Sequence, residues 1–287
     1  MGFPSIDPAA TVLGVEHANA RVGAISVEVL CQGWAPLPLD EELPGHDVDW
    51  GAERAVHPWA FGDGATWQWH VHAFVLRSPS GAVLVDTGLG PFDPGAPWAE
   101  SRTPDDVLAA EGLDPAEIDH VILTHLHTDH AGGSMRDGKP RFPNARYHVH
   151  PADWEHFETR DGRGESGARH AMRRLLDLDM LSLDPDDGDV APGIGVIHSP
   201  GHTPGHRSVV VSDEGQDLLL TGDLLHLPAQ VTHPDWLSSH DQDAERACGS
   251  RRALLAQARD GKWTVGVSHF ARPFGGVGAS GWEPPGS

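Results

Sequence analysis

Cysteine, tyrosine and lysine are nearly missing from this chain: two, one and two residues out of 287. Two thiols, Cys31 and Cys248, cannot make a disulfide-dense scaffold or a thiolate-rich structural zinc site, and reduced thiols are the simpler reading. Lys139 and Lys262 are the only lysines, and no arginine run exceeds two. Lys and Arg total 20 against 42 Asp and Glu, a formal charge of −22. Nucleic-acid phosphates are bound by basic patches, so this acidic surface predicts no nucleic-acid partner. No run of about 18 apolar residues occurs, which predicts no membrane span. Residues 1–8 lack the basic-then-apolar order of a signal peptide. Together these absences predict a cytoplasmic protein. The length fits one domain over residues 1–287 with an ample core.

Histidine, by contrast, is plentiful at 20 residues. Four potential metal ligands crowd into one short stretch: His125, His127, Asp129 and His130, after the apolar run Val121-Ile122-Leu123 and before Ala131-Gly132-Gly133. Buried imidazoles and an ionised carboxylate carry a desolvation cost that a divalent cation removes. In an extended segment His125 and His127 point to one side, because side chains alternate with period two. If the chain then turns into a helix, Asp129 and His130 swing toward a second point. One turn can thus serve two metals. The pairs His70/His72 and His148/His150 have no such context and read as strand or surface residues rather than ligands.

Other polar residues also close apolar, β-rich runs. Residues 82–85 lead to Asp86, residues 193–198 to His202 and His206, residues 217–222 to Asp223, and residues 263–268 to His269. Strands delivering side chains to one rim explain this pattern.

The ordered set Asp86, His125-x-His127-x-Asp129-His130, His202, Asp223 and His269 resembles the metallo-β-lactamase superfamily, over residues 70 to 270 or so. The resemblance implies an α/β fold, an αββα metallo-β-lactamase sandwich with two divalent metals at one sheet edge. It places His125, His127 and His202 on one metal, Asp129, His130 and His269 on the other, and Asp223 between them. Asp86 would fix a turn or a ligand imidazole by hydrogen bonding, and His206 would be structural. Zinc is the expected metal, although imidazole and carboxylate donors also accept manganese, iron or cobalt. Two such metals imply hydrolysis, with Asp129 orienting the nucleophile or passing its proton on.

For substrate, the full set resembles the N-acyl-homoserine lactonases, so a lactone or other neutral ester is expected. That family typically has a Tyr three residues after the bridging Asp; here the position is His226, whose imidazole can also donate a hydrogen bond or shuttle a proton. Residues 222–226 also resemble methyl-parathion-hydrolase-like proteins, which implies an organophosphate triester or aryl ester as the alternative. Residues 199–206 are similar to a glyoxalase II segment. An iron-dependent persulfide dioxygenase-like enzyme and a non-catalytic binding module are the readings from other classes.

Around the motifs, residues 21–31 read as a strand, and residues 70–77 and 82–86 as a hairpin. Residues 103–112, 151–159, 167–181 and 241–259 read as helices, the first capped by Thr103. Residues 33–69 are rich in Trp, Pro and Gly and read as an irregular insert. The insert is a lid, a dimer-contact arm of a homodimer, or sheet packing. Residues 275–287 read as a loose tail or surface strap.

Overall fold

The computed structural model describes residues 5–6, 11–12, 15–16, 19–90, 98–159 and 166–283. It forms the expected αββα sandwich. The first sheet contains Asn19–Val22 (β1), Ile25–Pro38 (β2), Thr66–Ser78 (β3), Gly81–Val85 (β4), Ile118–Ile122 (β5), Arg146–Val149 (β6) and Leu181–Leu183 (β7), paired in that order. The second contains Gly188–Ala191 (β8), Ile194–His198 (β9), Arg207–Asp213 (β10), Gln216–Leu220 (β11), Thr264–Gly266 (β12), Phe274–Gly278 (β13) and Gly281–Glu283 (β14), again in order. β4, β5, β6 and β7 are parallel neighbours, as are β11 and β12.

Period-two alternation divides the apolar runs between two layers. Val83 and Val85 enter the layer between the sheets, with Phe74, Ile122, Val209, Leu218, Leu220 and Phe274. Ala82, Leu84 and Val121 point the other way, onto Pro104–Ala110 (α1), Pro151–Thr159 (α2) and Ser166–Asp177 (α3), through Val107, Leu108, Phe157, Met172 and Leu175. Leu219, Val265 and Val267 pack on the outer face of the second sheet against Leu254, Leu255 and Ala258 of Ala244–Gly261 (α4). Strands buried on both faces explain why these runs read as continuously apolar. Among the described residues, no helix is long and apolar enough to cross a membrane.

Several boundaries depart from the sequence reading, each for a local reason. The strand expected over 21–31 is two strands, because the chain reverses at Gly23 with φ 55°. The helix over 167–181 ends at Asp177: Asp179 turns left-handed at φ 54°, and Leu181 then pairs with Tyr147. The helix over 241–259 starts only at Ala244, since Asp243 accepts the Arg246 N–H and caps it. Thr103 and Asp106 do form a reciprocal capping box on α1.

Residues 33–69 are less irregular than their composition indicated. β2 and β3 extend into them and pair as far as Pro38 and Thr66, with short helices Leu39–Glu42 and Trp50–Val56 between. Trp67, Phe61, Leu39 and Leu43 form a small core of their own with Leu227, against which Trp50, Trp59, Trp69 and Trp236 pack. Nor are residues 275–283 loose: β13 pairs with β12, and Trp282 on β14 packs edge-on to Phe270. Residues 284–287 lie outside the described residues.

Candidate metal centre

The strand ends meet at one edge of the sandwich. β5 runs into Thr124, His125 and His127, and the short helix Thr128–Ala131 follows at once. Between the two histidines, Leu126 sinks into the core and its N–H donates to Asp153 Oδ2 at 3.1 Å. That anchor turns both flanking imidazoles to the same side. β11 ends at Leu220, and after Thr221 comes Gly222, whose φ of 56° swings Asp223 inward; a Cβ there would lie 2.7 Å from His206 Nε2. The loop after β12 supplies His269.

Asp223 is buried and central. Its Oδ2 lies 3.2 Å from His202 Nε2 and 3.6 Å from His125 Nε2. Its Oδ1 lies 2.9 Å from His130 Nε2 and 3.0 Å from His269 Nε2. Two clusters therefore share this carboxylate: His125, His127, His202 and Asp223, and Asp129, His130, His269 and Asp223. In the first, His127 Nδ1 is 3.0 Å from His125 Nε2 and 2.9 Å from His202 Nε2. In the second, Asp129 Oδ2 lies 3.3 Å from His130 Nε2 and 3.7 Å from His269 Nε2.

These contacts fit a pair of cations. Three imidazole nitrogens converge edge to edge, where protons on each would collide. His130 Nε2 and Asp223 Oδ1 are close, yet neither makes an aligned hydrogen bond. Both point at common space rather than at each other. In the protein alone the protons are divided unevenly. Burial disfavours charge on His202, but Asp223 and Asp241 outweigh it and raise the ring to about 9. Burial is likewise outweighed at His130 by Asp223, Asp129 and Asp86, and at His269 by Asp223 and Asp129; both are raised. Burial and the facing His202 push His127 down to about 3. Protonated rings crowded around two carboxylates are what shared divalent cations would replace.

The outer residues orient the inner ones. Asp86 accepts the Thr124 N–H at 2.8 Å and faces His130 Nδ1 at 2.7 Å. His206 has both nitrogens committed: Nδ1 to Ser199 at 2.9 Å, and Nε2 accepting the Asp223 N–H at 3.0 Å. His226 places Nε2 3.4 Å from Asp223 Oδ2 and stacks on His269. His148, read earlier as a strand or surface residue, lies in β6 and bridges His120 and Asp184; His150 stacks on His198. Tyr147 is buried in the core, its hydroxyl accepting the Phe142 N–H.

Three carboxylates at this edge were not singled out by the sequence. Asp153, in the first turn of α2, holds both Leu126 and Gly205 N–H groups. Asp241 lies 3.5 Å from His202 Nδ1 and is itself held by Arg251. Glu42 accepts from Ser238 Oγ at 2.6 Å and lies 3.8 Å from His226 Nδ1. No local motif marks them; each is simply an acid near a helix end.

Residues 66–269 match the family model described as the metallo-beta-lactamase superfamily. The chain belongs to this superfamily. Within it, N-acyl homoserine lactonase AttM of Azorhizobium caulinodans is 32% identical over 182 residues, 56% of this chain and 67% of that protein. The chain spans 59% to 67% of the length of the curated relatives it matches. Two solved structures share the superfamily fold across almost the whole chain. Hydrolase AbOPH superposes with a TM-score of 0.80 at 21% identity, covering 96% of this chain and 98% of its own. AidC, a dizinc quorum-quenching lactonase, superposes with a TM-score of 0.78 at 23% identity, covering 94% and 97%.

A cavity of about 420 Å³, within the size range of small-molecule pockets, adjoins the clusters. Leu37, Trp67 and Trp69 line it together with His127, Asp129, His202, His226 and His269, and Glu42 and His240 line it too.

Proposed function

We propose that this superfamily member is a dinuclear-metal hydrolase acting on a neutral lactone, with N-acyl homoserine lactones as the substrate class. The observation that carries the reading is the Asp223 carboxylate shared by two His/Asp clusters beside a cavity of small-molecule size. The curated relatives named as N-acyl homoserine lactonases support the substrate class.

His125, His127 and His202 would hold one divalent ion, Asp129, His130 and His269 the other, and Asp223 both. Bound there, divalent cations supply Lewis acidity, polarising a carbonyl and making water acidic enough to attack near neutral pH. Zinc suits these imidazole and carboxylate donors. The protein's own groups do the rest. Asp223 holds the two clusters in register. Asp129 is the most open of the carboxylates at the centre, its side chain 17% exposed against 4% for Asp223. It can take a proton from the attacking water and return it to the leaving alkoxide. His226 faces the same cavity and can donate a hydrogen bond to the substrate carbonyl oxygen as charge develops. Leu37, Trp67 and Trp69 offer an apolar wall to an acyl chain and exclude water from it.

The aromatic wall also favours a second reading, an organophosphate triester or aryl ester. One experiment separates the two. Zinc-reconstituted protein is offered an N-acyl homoserine lactone in a pH-stat, with metal-free protein as control. Metal-dependent acid release is expected. No release from protein shown to hold two metals refutes the lactone reading and moves phosphotriesters and open-chain esters forward.

A further inference from the structure

A second set of soft donors lies between the sheets, behind the hydrolytic edge. Cys31 on β2 is directly opposite His72 on β3, and His70 is two residues along the same strand. Alternation puts both imidazoles on one face, toward the second sheet. One donor atom from each of Cys31, His70 and His72 lies within 4.8 Å of the other two. All three side chains are buried, at 0%, 2% and 1% exposure.

The hydrogen bonding of this trio is incomplete in a telling way. His72 Nε2 is 2.9 Å from the Phe270 carbonyl, an acceptor, so Nε2 carries the proton and Nδ1 the lone pair. Among the described residues that Nδ1 has no hydrogen-bond partner, and neither has His70 Nδ1. Among the described residues, the Cys31 thiol has only a 4.0 Å contact to the Gly33 carbonyl. Buried polar atoms are ordinarily satisfied, and two orphaned imidazole nitrogens beside a thiol need an explanation.

We propose that Cys31, His70 and His72 form a metal site separate from the Asp223 centre, for a thiophilic d10 cation, Zn²⁺ or Cu⁺. Thiolate and imidazole are the donors such ions select, and a thiolate offsets one positive charge in a dry interior. Binding breaks the Cys31 S–H bond and forms a sulfur–metal bond, and the proton leaves to solvent; no electron moves. The site is structural. The His70 carbonyl is 2.7 Å from His269 Nδ1, and the His72 N–H donates to the Ser268 carbonyl at 3.1 Å. An ion held here would clamp β2 to β3 and fix the segment that presents His269.

The full chain carrying Cys248→Ser leaves Cys31 as the single thiol, so any thiolate signal reports this site. The purified variant is loaded with Co²⁺ as a zinc surrogate and, separately, titrated with Cu⁺ against a chromogenic chelator. The expected result is a near-ultraviolet thiolate-to-cobalt charge-transfer band with one Co²⁺ bound beyond those at the Asp223 centre, or one tightly held Cu⁺. Adding Cys31→Ser should abolish the signal and one equivalent of metal, while the cobalt bands of the other centre persist. The Cys248→Ser readout stands even if that second variant misfolds. No charge-transfer band together with no retained Cu⁺ overturns the proposal. So does a signal that survives Cys31→Ser.

Discussion

Replacing Asp86 with asparagine tests the centre through one proton. Asp86 sits at φ 61°, a left-handed conformation that asparagine adopts as readily, so the backbone is left undisturbed. One carboxylate oxygen accepts the Thr124 N–H at 2.8 Å, and the other accepts from His130 Nδ1 at 2.7 Å. With a cation at the centre, this keeps the one remaining His130 proton on Nδ1 and leaves Nε2, 2.9 Å from Asp223 Oδ1, free as a ligand. In Asp86→Asn, an amide oxygen kept on Thr124 turns the NH₂ group toward His130 Nδ1. Neutral His130 must then shift its proton to Nε2, where it blocks a ligand lone pair. Holding the original tautomer instead sets N–H against N–H in a buried place. Flipping the amide only moves that clash to Thr124. An unsatisfied buried donor costs about 1–3 kcal/mol, which matches the roughly 10–100-fold that ligand-orienting partners contribute to metal affinity. Competition of two zinc equivalents against a chelator measures it, with circular dichroism to verify folding. One equivalent should weaken by about 10–100-fold and the other should stay close to wild type. A folded variant that binds both equivalents with wild-type affinity would refute the tautomer argument.

Three further outcomes follow from the same geometry. His226→Phe keeps a ring stacked on His269 but removes the donor; turnover should fall about 100-fold with both metals retained, and undiminished turnover would remove His226 from the chemistry. Burial raises Asp153 from 3.8 to about 6 against the hydrogen bonds it accepts. A carboxyl raised in the folded state binds its proton more tightly there than in the unfolded chain. Its contribution is therefore fully present below pH 3.8 and is lost as pH rises to about 6, on the order of 3 kcal/mol. Urea unfolding of metal-free wild type and Asp153→Asn should show their stability difference changing across that window, and a constant difference would contradict the assignment. Phe74→Ala empties the layer between the sheets beside Phe274 and should cost about 3–5 kcal/mol in the same measurement; a loss below about 1 kcal/mol would mean that this layer repacks.

The local pattern carried a large part of this protein. Apolar runs of period two, each ending in a polar residue, placed Asp86, His125, His127, Asp223 and His269 at strand ends. They meet because parallel neighbours in a sandwich end at a common edge. What the pattern could not carry was proximity between distant segments. Glu42 and Ser238 bond across 196 positions, and Asp241 reads as a helix start until the fold sets it beside His202. Residues 33–69 looked irregular because Trp, Pro and Gly mask a strand pair whose register is decided by its partner. His70 and His72 looked like ordinary strand residues, and only the pairing of β2 with β3 brings Cys31 opposite them. Sequence encodes which face a side chain takes, because that depends on neighbours within a few residues. Which faces then meet depends on the packing of whole layers, and only the tertiary structure decides it.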